Sequence, residues 1–183
     1  MKKLLFYFTI LMLITGSCKK DNSANLLSVG DNYQGGIIGY ILQPGDPGYV
    51  EGVQHGLIVA PADAYDGEWG CYGTELDGSD ALTLGSGNQN TQDIIAGCST
   101  TGIAAKICAD LVLGGYSDWY LPSLNELSLI YSNKAKIGGF SSNYHWSSSE
   151  YDADYAWFVV FETGQEAYGG KNGQNEFRPI RSF

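Results

Sequence analysis

The stretch from Tyr144 to Phe183, YHWSSSEYDADYAWFVVFETGQEAYGGKNGQNEFRPIRSF, sets the tightest limit on what this chain can fold into. Trp146, Trp157, Val159, Phe161, Phe177, Ile180 and Phe183 fall in period-2 runs there. Such runs suit half-buried strands, because successive strand side chains point to opposite faces. Between them lie Tyr, Asp, Asn, Gly and Ser. Tyrosine supplies rigid amphipathic contact area and the small polar residues supply adaptable hydrogen bonds, which is how recognition surfaces are composed. The candidate contact residues are Tyr151, Asp152, Asp154, Tyr155, Glu166, Tyr168, Asn172 and Asn175. Trp157 stands between framework and contact.

A terminus of this kind needs partners for its strands, and the upstream chain supplies them. Ile37, Ile38, Tyr40 and Ile41 read as a strand after a Gly35-Gly36 turn. Gln54 to Pro61 reads as a second strand, ended by its proline and antiparallel to the first. Thr91 to Cys98 is expected to form a short helix. A second is expected from Gly102 to Leu113, with Ile103, Ile107 and Leu111 on one face, Thr100 or Thr101 as N-cap and Gly114-Gly115 as terminator. A third begins at Ser123-Leu124-Asn125-Glu126, where serine and glutamate have the spacing of a capping box. The 25 glycines favour short elements joined by many turns. The expected class is α+β, with antiparallel strands, two to three short helices and long loops.

Residues 1–17 read as a signal peptide: Lys2-Lys3, then an apolar run from Leu4 to Ile14 that is too short to span a bilayer. Thr15-Gly16-Ser17-Cys18 resembles a bacterial lipoprotein signal, which makes Cys18 the lipidation residue and a membrane its partner. Residues 18–28 are a tether, and 29–183 one domain. The Lys19-Lys20-Asp21 that follows Cys18 resembles the surface-export signal of Bacteroidetes lipoproteins. The expected location is the cell envelope, anchored to the outer membrane and facing outward.

The chain carries 10 basic and 20 acidic residues, a net of −10. Without Lys2, Lys3, Lys19, Lys20 and Asp21, 6 basic face 19 acidic, a net of −13. A surface of that sign repels phosphate backbones, so nucleic acid is not an expected partner. Of the remaining cysteines, Cys71 with Cys98 is the preferred disulfide in an oxidising compartment, and Cys108 is expected as a buried thiol beside Ala104 and Leu111. No Cys/His cluster has zinc spacing. Asp63, Asp66, Glu68, Glu75, Asp77 and Asp80 could supply oxygens to calcium. The segment lacks an EF-hand pattern, so a solvated acidic loop is the preferred reading, and no cofactor or metal is assigned.

Gly115-Tyr116-Ser117-Asp118-Trp119-Tyr120-Leu121-Pro122-Ser123 carries a resemblance, together with His55 to Pro61, Trp146 to Glu150, Ala156-Trp157 and Arg178 to Phe183. In this order the segments resemble the C-terminal domain family of the Legionella-type collagen-like adhesin, over residues 29 to 183. The resemblance implies a C-type-lectin-like fold. Adhesins of the family bind sulfated glycosaminoglycans through basic surfaces, and the acidic domain here departs from that. Calcium-lectin sugar signatures (EPN or QPD, then WND) are absent. Lipoproteins with this fold also resemble the variable proteins of diversity-generating retroelements, in which a C-terminal segment of Asn, Tyr, Ser, Asp and Gly varies on a fixed framework.

Catalytic readings are weaker. His145, Ser147 to Ser149, Glu150 and Asp152 could furnish a nucleophile, base and acid, but neighbours in an extended segment point apart and there is no nucleophile elbow. The serines are better explained as a W-S-S-S turn satisfying local backbone groups. Formylglycine-generating enzymes, similar in fold logic, use a C-terminal cysteine pair, and no cysteine follows Cys108. Glu150 and Glu162 as a glycosidase pair compete with plain exposed strand carboxylates. Arg178 and Arg181 are expected to pair with acids such as Glu126 or Asp118. The sequence therefore points to a non-catalytic binding or adhesion module for an extracellular protein or glycan, with a structural envelope lipoprotein as the alternative.

Overall fold

Ile37 to Ile41 and Leu57 to Val59 place apolar side chains on both faces of two adjacent strands. In a computed structural model these become β2 (Gly36–Ile41) and β3 (Gly56–Val59), paired antiparallel with a register shift between Ile38 and Tyr40. The structure describes residues 26–62 and 65–183. The signal peptide, Cys18 and most of the tether lie outside those residues, as does Asp63.

A two-residue strand β1 (Asn32–Tyr33) precedes β2 and pairs with it across the Gln34-Gly35 turn. Both turn residues have positive φ, 45° and 87°. The chain's last strand, β9 (Ile180–Ser182), pairs antiparallel with β3, so the sheet runs β1-β2-β3-β9 and the domain closes on itself.

The second sheet holds β4 (Tyr65–Gly67), β5 (Tyr144–Glu150), β6 (Tyr155–Val160), β7 (Gln165–Gly170) and β8 (Asn175–Phe177), in the order β4-β8-β5-β6-β7. Its pairs are antiparallel except β5 with β8. Strand β4 lies inside the stretch expected to be mostly loop; three residues are too few for a periodic signal.

Helix α1 (Gly87–Gly97) begins four residues before the expected start, and its polar first turn is why. Helix α2 covers only Ala104–Asp110. Its N-cap is Ile103, which makes no side-chain cap, so neither Thr100 nor Thr101 starts it. Gly114 and Gly115 do not end it either: they form a separate positive-φ turn bridged by Leu113 and Tyr116. Helix α3 (Leu124–Ser132) has the capping box, with Ser123 accepting from Glu126 N and the Glu126 carboxylate accepting from Ser123 N at 2.8 Å. A one-turn helix α4 (Lys134–Ile137) follows, making four helices among the described residues.

One core lies under α1 and α2, where Trp69, Ile94, Ile103, Cys108, Leu121, Trp146, Ala156 and Phe177 meet. The other joins β3, β6 and α3 through Leu57, Val59, Leu127, Ile130, Val159 and Phe161. Strand β6 faces both, because Ala156 and Phe158 point to the first and Trp157 and Val159 to the second. Cys71 and Cys98 are bonded, which fastens the segment before Tyr72 to the end of α1. Cys108 is fully buried, and burial pushes its thiol pKa well up, leaving it protonated and unreactive.

Candidate functional site

Strand β5 is buried from His145 through Glu150, on both faces. Its serines form no turn. Between Trp146 and Glu150 the pairing with β6 is interrupted by a bulge, and the displaced residues bond elsewhere. Ser148 N donates to Pro122 O at 2.7 Å and Glu150 N to Ser79 O at 2.8 Å. The Ser147 hydroxyl donates to Trp157 O and the Ser149 hydroxyl to Ala81 O, both at 2.8 Å, while Leu124 N donates to Ser149 Oγ at 3.1 Å. The segment thus joins the loop before α1, the start of α3 and the sheet. The hydroxyls of Ser147 and Ser149 are aimed at backbone, and the His145 ring lies buried against Phe161 at 4.0 Å, so these residues do not converge as a triad.

Glu150 is no exposed strand carboxylate. It accepts from Leu76 N through both oxygens at 3.1 and 3.0 Å and meets the ammonium of Lys171, a fully buried residue. Lys171 also donates to Thr74 O at 2.8 Å and lies 4.9 Å from the centre of the Trp69 ring. A lone lysine among glycines and asparagines gave the sequence reading no sign of this; only the tertiary packing brings Glu150 beneath it. Glu162 is exposed. Arg181 makes the expected pairing with Asp118, at 2.7 and 2.9 Å, and its hydrogen bonds hold that carboxyl below the usual carboxylate range. Arg178 donates to the carbonyls of Ala60, Gly139 and Gly138. Glu126 accepts from Ser123 N and Gly85 N rather than pairing with an arginine.

The aromatic contact candidates come together. Tyr151 stacks on Tyr168 at 4.1 Å with planes 8° apart. Trp157 stands edge-on to both, at 5.2 and 5.6 Å, and Tyr155 edge-on to Tyr168 at 5.7 Å. Three of the four are substantially exposed: Tyr151 by 47%, Tyr155 by 40% and Tyr168 by 49%. Trp157 is half-buried and anchors the group, since it also packs against the core beside α3. The register explains the meeting. Trp157 lies opposite Tyr168, Tyr155 opposite Gly170 and Val159 opposite Glu166, which puts these side chains on one face of the sheet.

The polar candidates divide. Glu166 shares the face and accepts from the Ser128 hydroxyl at 2.6 Å. Asp152 is exposed, but its carboxylate accepts from Asp154 N and Tyr155 N, at 2.8 and 2.9 Å, and so builds the β5–β6 turn. Asp154 sits half-buried in that turn, its carbonyl accepting from Lys171 N at 2.9 Å. Asn172 is exposed beside Gly170: a Cβ there would meet its Oδ1 at 3.0 Å. Asn175 does not join. It lies on β8, separated from β7 by β5 and β6, about 14 Å away at the usual strand spacing.

Tyr72, which the sequence reading did not single out, completes the surface. It is 54% exposed, and its ring lies 3.9 Å from where a Gly170 side chain would begin, on the face of Tyr155 and Tyr168. The disulfide at Cys71 and a hydrogen bond from Gly73 N to Ala153 O hold it there. Its one sequence signal is adjacency to a bonded cysteine. Among the described residues no group of three or more His, Cys, Asp or Glu is placed to hold a metal ion. No helix among them is long and apolar enough to cross a membrane.

A family model described as the Lcl C-terminal domain matches residues 76–181, more than half of the chain. The matched span contains Tyr151, Tyr155, Trp157 and Tyr168 but neither Cys71 nor Tyr72. No curated protein matches the chain.

Proposed function

The chain belongs to the Lcl C-terminal domain family, and from that membership we propose that it is a non-catalytic binding and adhesion module presented at the cell surface. The observation that carries the reading is the contiguous cluster of Tyr151, Tyr155, Trp157 and Tyr168 on the edge of the second sheet. Exposing three tyrosines together is costly unless a partner covers them, and contiguous exposed apolar area of this kind characterises interaction sites. The partner is an extracellular protein or glycan. Tyr72, Glu166 and Asn172 border the contact surface, while Asp152 shapes it through the turn.

In this reading Cys18 carries the lipid, the preceding residues are removed as a signal, and the domain faces outward from the outer membrane of a Bacteroidetes-type cell. The fold is of C-type-lectin type, and the tyrosine positions are those that retroelement mutagenesis would vary. The alternative is a structural envelope lipoprotein without a ligand. An array of extracellular proteins and glycans, probed with wild type and with Tyr151→Ala/Tyr155→Ala/Tyr168→Ala, separates the two. Hits lost in a variant whose circular dichroism is unchanged support the binding module. Hits retained by the variant, or none with either protein, favour the structural role.

A further inference from the structure

Among the described residues no cation is seated on the surface cluster, whereas four other rings of the domain carry one. Among the described residues, cation–ring pairs fall on Tyr131 (Lys134, 4.2 Å), Trp69 (Lys171, 4.9 Å), Phe140 (Arg178, 4.1 Å) and Tyr116 (Arg181, 4.0 Å). Lys106 is paired with Asp110. The domain has only six basic residues against 19 acidic ones, so five of its cations are engaged away from the cluster. The cluster is flanked instead by the carboxylates of Glu166, on the same face of β7 as Tyr168, and of Asp152, which accepts from Tyr155 N.

Aromatic faces are negative and attract cations, most strongly where carboxylates add their field and water is displaced. We propose that the cluster accepts the arginine or lysine side chains of a basic, extended segment of an extracellular protein. The proposal rests on the binding-module reading and names its partner chemistry. Tyr151 and Tyr168 are 4.1 Å apart, which leaves no room between them, so the cation lies on an outer ring face. A guanidinium fits best there, being planar, weakly hydrated and able to hydrogen-bond Glu166 while stacked. Strand β7 is the edge of its sheet. An extended segment can run beside it, with alternate side chains reaching the ring face.

The test uses octaarginine, its neutral analogue octacitrulline and a neutral hexasaccharide, titrated at physiological salt into wild type, Tyr151→Ala/Tyr168→Ala and Tyr151→Phe/Tyr168→Phe. All three proteins carry the same net charge at neutral pH, so general attraction of the peptide to an acidic protein is constant. Wild type and the phenylalanine variant are expected to bind octaarginine alike and to discriminate against octacitrulline. The alanine variant is expected to bind octaarginine about tenfold more weakly. Equal octaarginine affinity for all three proteins overturns the proposal, as does equal binding of octaarginine and octacitrulline. Hexasaccharide binding that alone depends on the tyrosines also overturns it, yet leaves the cluster as the contact surface of the binding module. Unchanged circular dichroism of the alanine variant ties its loss to the rings.

Discussion

Strand β5 and the β6–β7 face belong to one sheet and to the same forty residues, yet they invert the usual arrangement. Ser147, Ser148, Ser149 and Glu150 are buried, with Lys171 beside them, while Tyr151, Tyr155 and Tyr168 stand in solvent. The buried polar groups work as joints: their hydrogen bonds tie the loop of Thr74 to Ala81 and the start of α3 to the sheet. The exposed rings touch mainly one another. Polarity alone therefore says little about which of these residues hold the fold; the number of separate segments a side chain connects says more.

The largest expected effect comes from breaking the buried pair. Lys171→Met leaves the Glu150 carboxylate uncompensated and should cost about 3–5 kcal/mol in urea unfolding. Adding Glu150→Gln removes that charge while keeping an acceptor for Leu76 N, and should restore part of the loss. Next comes the disulfide, whose cysteines are 27 residues apart. Cys71→Ala/Cys98→Ala should cost about 3 kcal/mol through the added freedom of the unfolded chain. It should also weaken partner binding, because Tyr72 loses its anchor.

A smaller effect distinguishes a surface ion pair from the buried one. The Asp118 pKa is lowered from 3.8 chiefly by its hydrogen bonds to Arg181. A lowered folded-state pKa stabilises fully above the unfolded value, and the contribution is lost as pH falls through the folded value. Asp118 is 54% exposed, so Asp118→Asn should cost less than about 1 kcal/mol at neutral pH. The gap between the unfolding curves of wild type and variant should close as pH drops below the ordinary aspartate range.

The strands around Ile37 to Ile41, Leu57 to Val59 and Trp157 to Phe161 were legible because their apolar residues dominate short windows. The α3 start was legible because a capping box is a local chemical device. Local pattern fails where distant segments decide: α2 ends early because Leu111 leaves the helix with extended backbone, and β4 exists only because β8 pairs with it. In the candidate site, Tyr151, Tyr155 and Tyr168 were legible from composition and Trp157 from its position among them. Their mutual stacking follows from the β6–β7 register, while Tyr72 arrives through a disulfide loop and Asn175 departs through strand order. The strand order that removes Asn175 is not encoded near its own position, and the only local sign at Tyr72 is the neighbouring Cys71.

The separation of joint from contact surface is tested most directly by parallel urea unfolding of Lys171→Met and Tyr168→Ala. The expected ranking is a loss of about 3–5 kcal/mol for the lysine variant and about 1 kcal/mol for the tyrosine variant, whose ring is half in solvent. A tyrosine variant that loses as much stability as the lysine variant would make the exposed rings part of the structural core, and would contradict their assignment as a surface reserved for a partner.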